Sequence, residues 1–147
     1  MKLWSFGEDM AHARASIGIT NYVVAIASGH HRLIGDEPTK LGGQDAGPAP
    51  YELLCSALCA CTAITLRMYA DRKQWLLSAV QVDAHFKDGA ITRVLNFEGE
   101  LDKEQRTRLA DVAERTPVTG TPVTLALKQG LLISTTLVDQ ITPAKVI

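Results

Sequence analysis

The chain has 147 residues, 46% of them apolar and 21% charged, with 15 Lys and Arg against 16 Asp and Glu for a formal net charge of −1. That length fits a single domain over 1–147, long enough to bury roughly two-thirds of the surface its unfolded chain exposes. Charges of both signs are interspersed without a run of either, which excludes an electrostatic footprint for nucleic acid or for an anionic membrane.

In chain order, Met1 to Asp9 holds no apolar stretch of signal-peptide length. A β region follows. Residues around His12 to Ile17 are a candidate strand, Tyr22 to Ser28 is rich in β-branched residues and stops at Gly29, and His31 to Ile34 completes a hairpin. His30 and His31 are neighbours, so their side chains are expected on opposite sides. From Asp36 to Pro50 the recurring Gly and Pro mark a loop.

Pro50 suits a first helical position, and Glu52 in the first turn complements the helix dipole. The spacing predicts a helix from Pro50 to Lys73, ending in Arg72 and Lys73. Leu53 to Leu66 carries no charge on any face, so protein is expected to cover this helix on most sides. The run is shorter than the about 20 residues a membrane span needs, and the chain reads as cytoplasmic.

Beyond Trp75 the period becomes two, with Val80, Val82, Ala84 and Phe86 alternating with Gln81, Asp83 and His85. Asp88-Gly89 is a hairpin turn returning into a strand over Ile91 to Phe97. Asp102 and Gln105 form a capping box for a second helix whose apolar stripe is Leu109, Val112 and Ala113. Thr116-Pro-Val-Thr is repeated from Thr121, and its prolines argue against continuous helix there. A final strand is expected over Leu131 to Val138. The fold class is therefore α+β.

The chemistry concentrates in Cys55, Cys59 and Cys61. An odd count in one apolar stretch is unlike a secreted disulfide framework and points to a reducing compartment. Cys55 and Cys59 share a helix face, and Cys61 lies about 200° round from Cys59. A Cys59–Cys61 disulfide does not fit a helix, and Cys55–Cys59 would require distortion. Small buried hydrophobe is the ordinary role for each; a reactive one needs a nearby cation to lower its pKa. The four histidines pair with no cysteine at zinc spacing, and phosphate-binding glycine motifs and Gly-x-Ser-x-Gly are missing, so no metal or cofactor is expected.

The stretch from Gly47 to Ala70 contains Gly47-Pro-Ala-Pro50-Tyr-Glu-Leu, then a small-residue run ending in Ala60-Cys61. It closely resembles the central-helix motif of the OsmC/Ohr family, the osmotically induced and organic hydroperoxide resistance proteins, and the order of the remaining elements fits as well. The resemblance implies an intertwined homodimer: an N-terminal hairpin or sheet, a long buried central helix, a second hairpin, a second helix and a C-terminal strand. Active sites would lie at the subunit interface.

It also implies a chemistry. Cys61 takes the peroxidatic position, whose thiolate is oxidised by a hydroperoxide to a sulfenic acid. An Arg and a Glu orient and activate that thiol in the family. Here Tyr51 stands where the Glu is usual, with Glu52 one residue on, and Asn21 stands where an Arg is expected. Arg32 is the nominated cation and Arg14 the runner-up. Thr116 replaces the usual resolving cysteine, which rules out the familiar two-cysteine cycle. Three readings follow: a one-cysteine peroxidase using an external thiol reductant, with Cys55 or Cys59 as alternative resolving thiols; a redox enzyme or sensor of other substrate; and a non-catalytic domain binding a small apolar ligand at the dimer interface.

Overall fold

The computed structural model describes residues 11–114, 127–130 and 133–137. The chain divides into two compact units, one comprising Phe6–Leu53 with Ile133–Ile147, the other Met1–Ser5 with Leu54–Leu132.

The first unit is an antiparallel meander of β1 (Ala13–Ile17), β2 (Val24–Ser28) and β3 (His31–Gly35), ordered β1-β2-β3. All three sequence-predicted strands are present. Ala27 pairs with Arg14 on one side and Arg32 on the other, so these three share a row and a face. Ala15, Ile26 and Leu33 form a row on the opposite face. The rings of His30 and His31 lie 4.1 Å apart, against the expectation of opposed side chains. The reason is local: His30 belongs to the turn after Gly29, whose φ is 58°, so strand alternation begins only at His31.

The loop after β3 is organised by Asp36, which is buried. Its Oδ1 accepts the N–H groups of Glu37 at 2.8 Å and Tyr22 at 3.1 Å, and its Oδ2 those of Gln44 and Ala46, both at 3.1 Å. Burial pushes the carboxyl pKa up, but the backbone donors from Ala46, Glu37, Gln44 and Tyr22 outweigh it and hold the group below its ordinary value. Gly43 is required here because a Cβ would collide with the Glu37 carbonyl.

Helix α1 (Pro50–Lys73) has the predicted limits. Glu52 Oε2 accepts the Ala49 N–H at 2.8 Å, the back half of a capping box. At the far end Gln74 adopts φ 56°, Gln74 N–H reaches Asp71 O and Trp75 N–H reaches Ala70 O. That is a Schellman stop made without glycine, reinforced by an edge-on Tyr69–Trp75 contact at 5.6 Å. The buried side chains of α1 are Leu58, Thr62, Thr65, Leu66 and Ala70, whereas Tyr51 and Ile64 are exposed. Within one chain a single stripe is therefore covered. Counted with its flanks, α1 is also long and apolar enough to cross a membrane, a test that core helices pass as well.

In the second unit β4 (Leu76–Lys87) and β5 (Ala90–Glu100) form an antiparallel hairpin. The predicted Asp88-Gly89 turn has positive φ at both residues, 50° and 76°. The strands run longer than periodicity indicated because a bulge between Leu77 and Ala79 breaks the period. Gly99 faces that bulge with φ 130°, where a Cβ would strike the Leu76 carbonyl. Helix α2 (Lys103–Glu114) carries the expected reciprocal cap, Asp102 Oδ1 accepting Gln105 N–H at 2.7 Å and Gln105 Oε1 accepting Asp102 N–H at 3.0 Å. Its stripe Leu109, Val112 and Ala113 joins Leu66, Ala70 and Leu77 in the core, with Tyr69, Trp75, Val80, Leu95 and Phe97 packed around it.

Ile133 to Leu137, within the expected last strand, form no strand, and both end residues are about nine-tenths exposed. These apolar side chains have no ladder partner among the described residues. The remainder of that segment and the Thr-Pro-Val-Thr repeat lie outside the described residues.

Candidate functional site

Cys55, Cys59 and Cys61 are all free and half-buried on α1. Helical phase puts Cys55 and Cys59 in line with the buried stripe and Cys61 beyond one edge of it. Burial pushes the Cys59 thiol up, the Cys55 and Asp83 charges push it further, and a backbone hydrogen bond with Ala84 and the Arg93 charge offset part of this. Cys59 is thereby disfavoured as an attacking thiolate. One turn beyond Cys61, Thr65 Oγ1 is buried without a hydrogen-bond partner among the described residues.

The nominated helpers fall in the first unit. Arg32 and Arg14 flank Ala27 in one cross-strand row, so the first choice and the runner-up occupy the same patch of sheet. Glu52 has a structural occupation at Ala49 N–H. It is also nine residues from Cys61, about half a turn out of phase on the same helix.

Sequence reasoning missed a second cluster, centred on Arg93. Positions 91, 93, 95 and 97 of β5 face the covered side, so Arg93 stands where an apolar residue is expected; that inward charge was the available signal. Its side chain is only 7% exposed. Nη1 donates to Thr62 Oγ1 at 2.9 Å, and Nη2 donates to Ala113 O and Glu114 Oε1, both at 2.8 Å. Thr62 in turn donates to Leu58 O at 2.7 Å.

Helix α2 ends with an acid and has no basic residue in its last turn. Its terminal carbonyls are satisfied from outside: Arg93 reaches Ala113 O, and Lys128 Nζ reaches Glu114 O at 3.3 Å. Lys128 also pairs with Glu114 Oε2 at 3.0 Å. Hydrogen bonds from Lys128 and then Arg93 hold the Glu114 pKa below its ordinary value.

Beside this cluster is a cavity of about 400 Å³ lined by Leu54, Leu58, Phe86, Gly89, Ile91, Arg93, Glu114, Leu127 and Lys128. No cysteine is among these residues. Among the described residues no group of three His, Cys, Asp or Glu side chains is placed to hold a metal ion.

A family model described as OsmC-like protein matches residues 42–136. No curated protein matches the chain by sequence. Among solved structures, an OsmC-like protein from Mycoplasma pneumoniae superposes with a TM-score of 0.66 at 16% identity, covering 82% of this chain and 89% of that one. An organic hydroperoxide resistance protein from Legionella pneumophila gives 0.55 at 20% identity, covering 82% and 90%. An OsmC-like protein of unknown function from Vibrio cholerae gives 0.62 at 10% identity, covering 80% and 93%. At such identities these likenesses establish the fold.

Proposed function

The chain belongs to the OsmC-like family, and from that premise we propose that it is a thiol-dependent redox protein that reduces organic hydroperoxides through Cys61. The observation that carries the proposal is a free thiol at the Ala-Cys position of the central helix. The hydroperoxide resistance protein among its structural relatives supports the substrate class.

In the proposed cycle the Cys61 thiolate attacks the terminal peroxide oxygen. The O–O bond breaks, the alkoxide leaves and takes up a proton as the alcohol, and sulfur becomes a sulfenic acid. An external thiol condenses with it, releasing water and forming a mixed disulfide, and a second external thiol restores Cys61. Arg32 is the proposed activating cation, with Glu52 as its carboxylate partner, each standing in for a family position that Asn21 and Tyr51 occupy in this chain. The proposed assembly is an intertwined homodimer, in keeping with an apolar α1 whose Tyr51 and Ile64 are exposed in one chain. A cytoplasmic site of action suits three free thiols.

Tyr51 and Thr116, at positions where the family pattern has Glu and Cys, favour a second reading: a sensor or binding domain for a small apolar ligand at the dimer interface. Counting thiols and alcohol product after mixing with cumene hydroperoxide separates the two. The peroxidase reading expects rapid loss of a single thiol with stoichiometric alcohol, both abolished by Cys61→Ser. If Cys61→Ser loses thiols as fast as the parent, that reading fails.

A further inference from the structure

We infer that the cavity beside Arg93 is a binding site for a small amphipathic monocarboxylate, an anion carrying a short aliphatic or aryl tail. It is separate from the thiol chemistry proposed above. Two independent features of the cavity point to that class.

The first is its wall. Leu54 and Leu58 come from one face of α1, Phe86 and Ile91 from either side of the β4–β5 turn, and Leu127 from beyond α2. Side chains from separate elements converge on about 400 Å³ of space, within the usual range for small-molecule sites. An apolar tail would displace water from these surfaces.

The second is its charge. Among the described residues, Arg93 and Lys128 contribute two positive charges against the single negative charge of Glu114, an excess of one. Arg93 is fixed by Thr62, Ala113 and Glu114 and supplies a constant field from a nearly buried position. Lys128 is half exposed and has three N–H donors, two of which are directed at Glu114. It can turn its remaining donor to a ligand carboxylate while holding the helix end. A monoanion would neutralise the cluster; a neutral amphiphile would leave its charge uncompensated.

The test is a methyl-resolved NMR titration of the full chain with octanoate, using octanol as the uncharged comparator. The expected result is saturable shifts at Leu54, Leu58, Ile91 and Leu127, with octanoate bound more tightly than octanol. Lys128→Ala should weaken octanoate about tenfold, the scale of one charge-assisted hydrogen bond, and leave octanol within about twofold. Added salt should weaken octanoate alone. Lys128 is a surface side chain, and unchanged methyl positions in the core would confirm that the variant is folded.

No saturable shift at these methyls would overturn the inference, as would equal affinity for the two probes or an unaffected octanoate affinity in Lys128→Ala. Cys61→Ser should bind octanoate like the parent. This result keeps failure of the binding site distinguishable from failure of the peroxidase reading.

Discussion

In the second unit Leu66, Ala70, Leu109, Val112 and Ala113 are sealed from solvent, whereas in the first the buried positions among the described residues are Gly35 and Asp36. The β4–β5 hairpin shows the contrast most clearly. From Val80 to Phe97 its half-buried and exposed residues alternate, and the half-buried face packs on the helical core. The β1–β3 sheet has no such regularity, and Ile17, Leu33 and Ile34 are all close to half exposed. Apolar burial holds one unit. In the other, a single carboxylate gathers four backbone N–H groups from residues 22 to 46. A chain built this way has its apolar core in its second unit and a sheet with exposed apolar side chains in its first, a surface the proposed dimer would cover.

Cutting into the second unit's core should have the largest effect. Leu109→Ala removes a fully buried side chain and should cost about 2–5 kcal/mol in denaturant unfolding, since the cavity adds to the lost transfer energy. Amide exchange should show the loss in β4, β5 and α2. Equal loosening of β1–β3 would break the contrast between the two units.

Arg93→Met keeps volume while removing the donors to Thr62, Ala113 and Glu114, and should cost about 2 kcal/mol, chiefly through the buried partners left unsatisfied. The sharper readout is Glu114. Its pKa in the fold is depressed, so the stabilisation it brings is complete at neutral pH and disappears as pH falls from the ordinary carboxylate range through the folded value. That contribution is small because Glu114 is 65% exposed. A carboxyl NMR titration should show Arg93→Met raising the Glu114 midpoint toward its ordinary value of 4.5. An unmoved midpoint would assign the depression to Lys128 alone.

Much of this architecture was legible from local chemistry. Pro50 and the cations Arg72 and Lys73 bracket α1 correctly, and Asp102 with Gln105 caps α2 as written. What escaped depends on partners distant in sequence. The bulge opposite Gly99 lengthened both strands past the periodic run, since a bulge breaks the alternation by which strands are read. The uncharged surface of α1 spoke of its eventual surroundings, while one chain supplies cover for only a single stripe. Around Cys61 the motif identified the thiol, but no periodicity can say which cation faces it. Arg93 was visible as a charge on an apolar strand face, yet its place beside a cavity required the ends of α2 and the segment at Lys128. Asp36 read as one more loop residue because bonds to backbone N–H groups leave no trace in side-chain pattern.

That silent residue provides the most local test of the contrast. Asn at position 36 has one acceptor oxygen, and its NH₂ would confront N–H donors where Oδ2 now serves Gln44 and Ala46. Asp36→Asn should therefore speed exchange of the Gln44 and Ala46 amides, and with them that of Tyr22 as the shared loop loosens around Oδ1, while leaving those of α2 unchanged. The pH dependence has a definite sign. A carboxyl held below its ordinary value stabilises the loop above about pH 4 and releases it as pH falls through the folded pKa. Parent protein should show that acid-dependent opening at these three amides, and Asp36→Asn should be open already at neutral pH with no further transition. If the variant's loop amides stay protected, backbone bonds such as Asp36 N–H to Pro48 O and Asp45 N–H to Glu37 O hold this region together without the carboxylate, and the two units differ less than their burial implies.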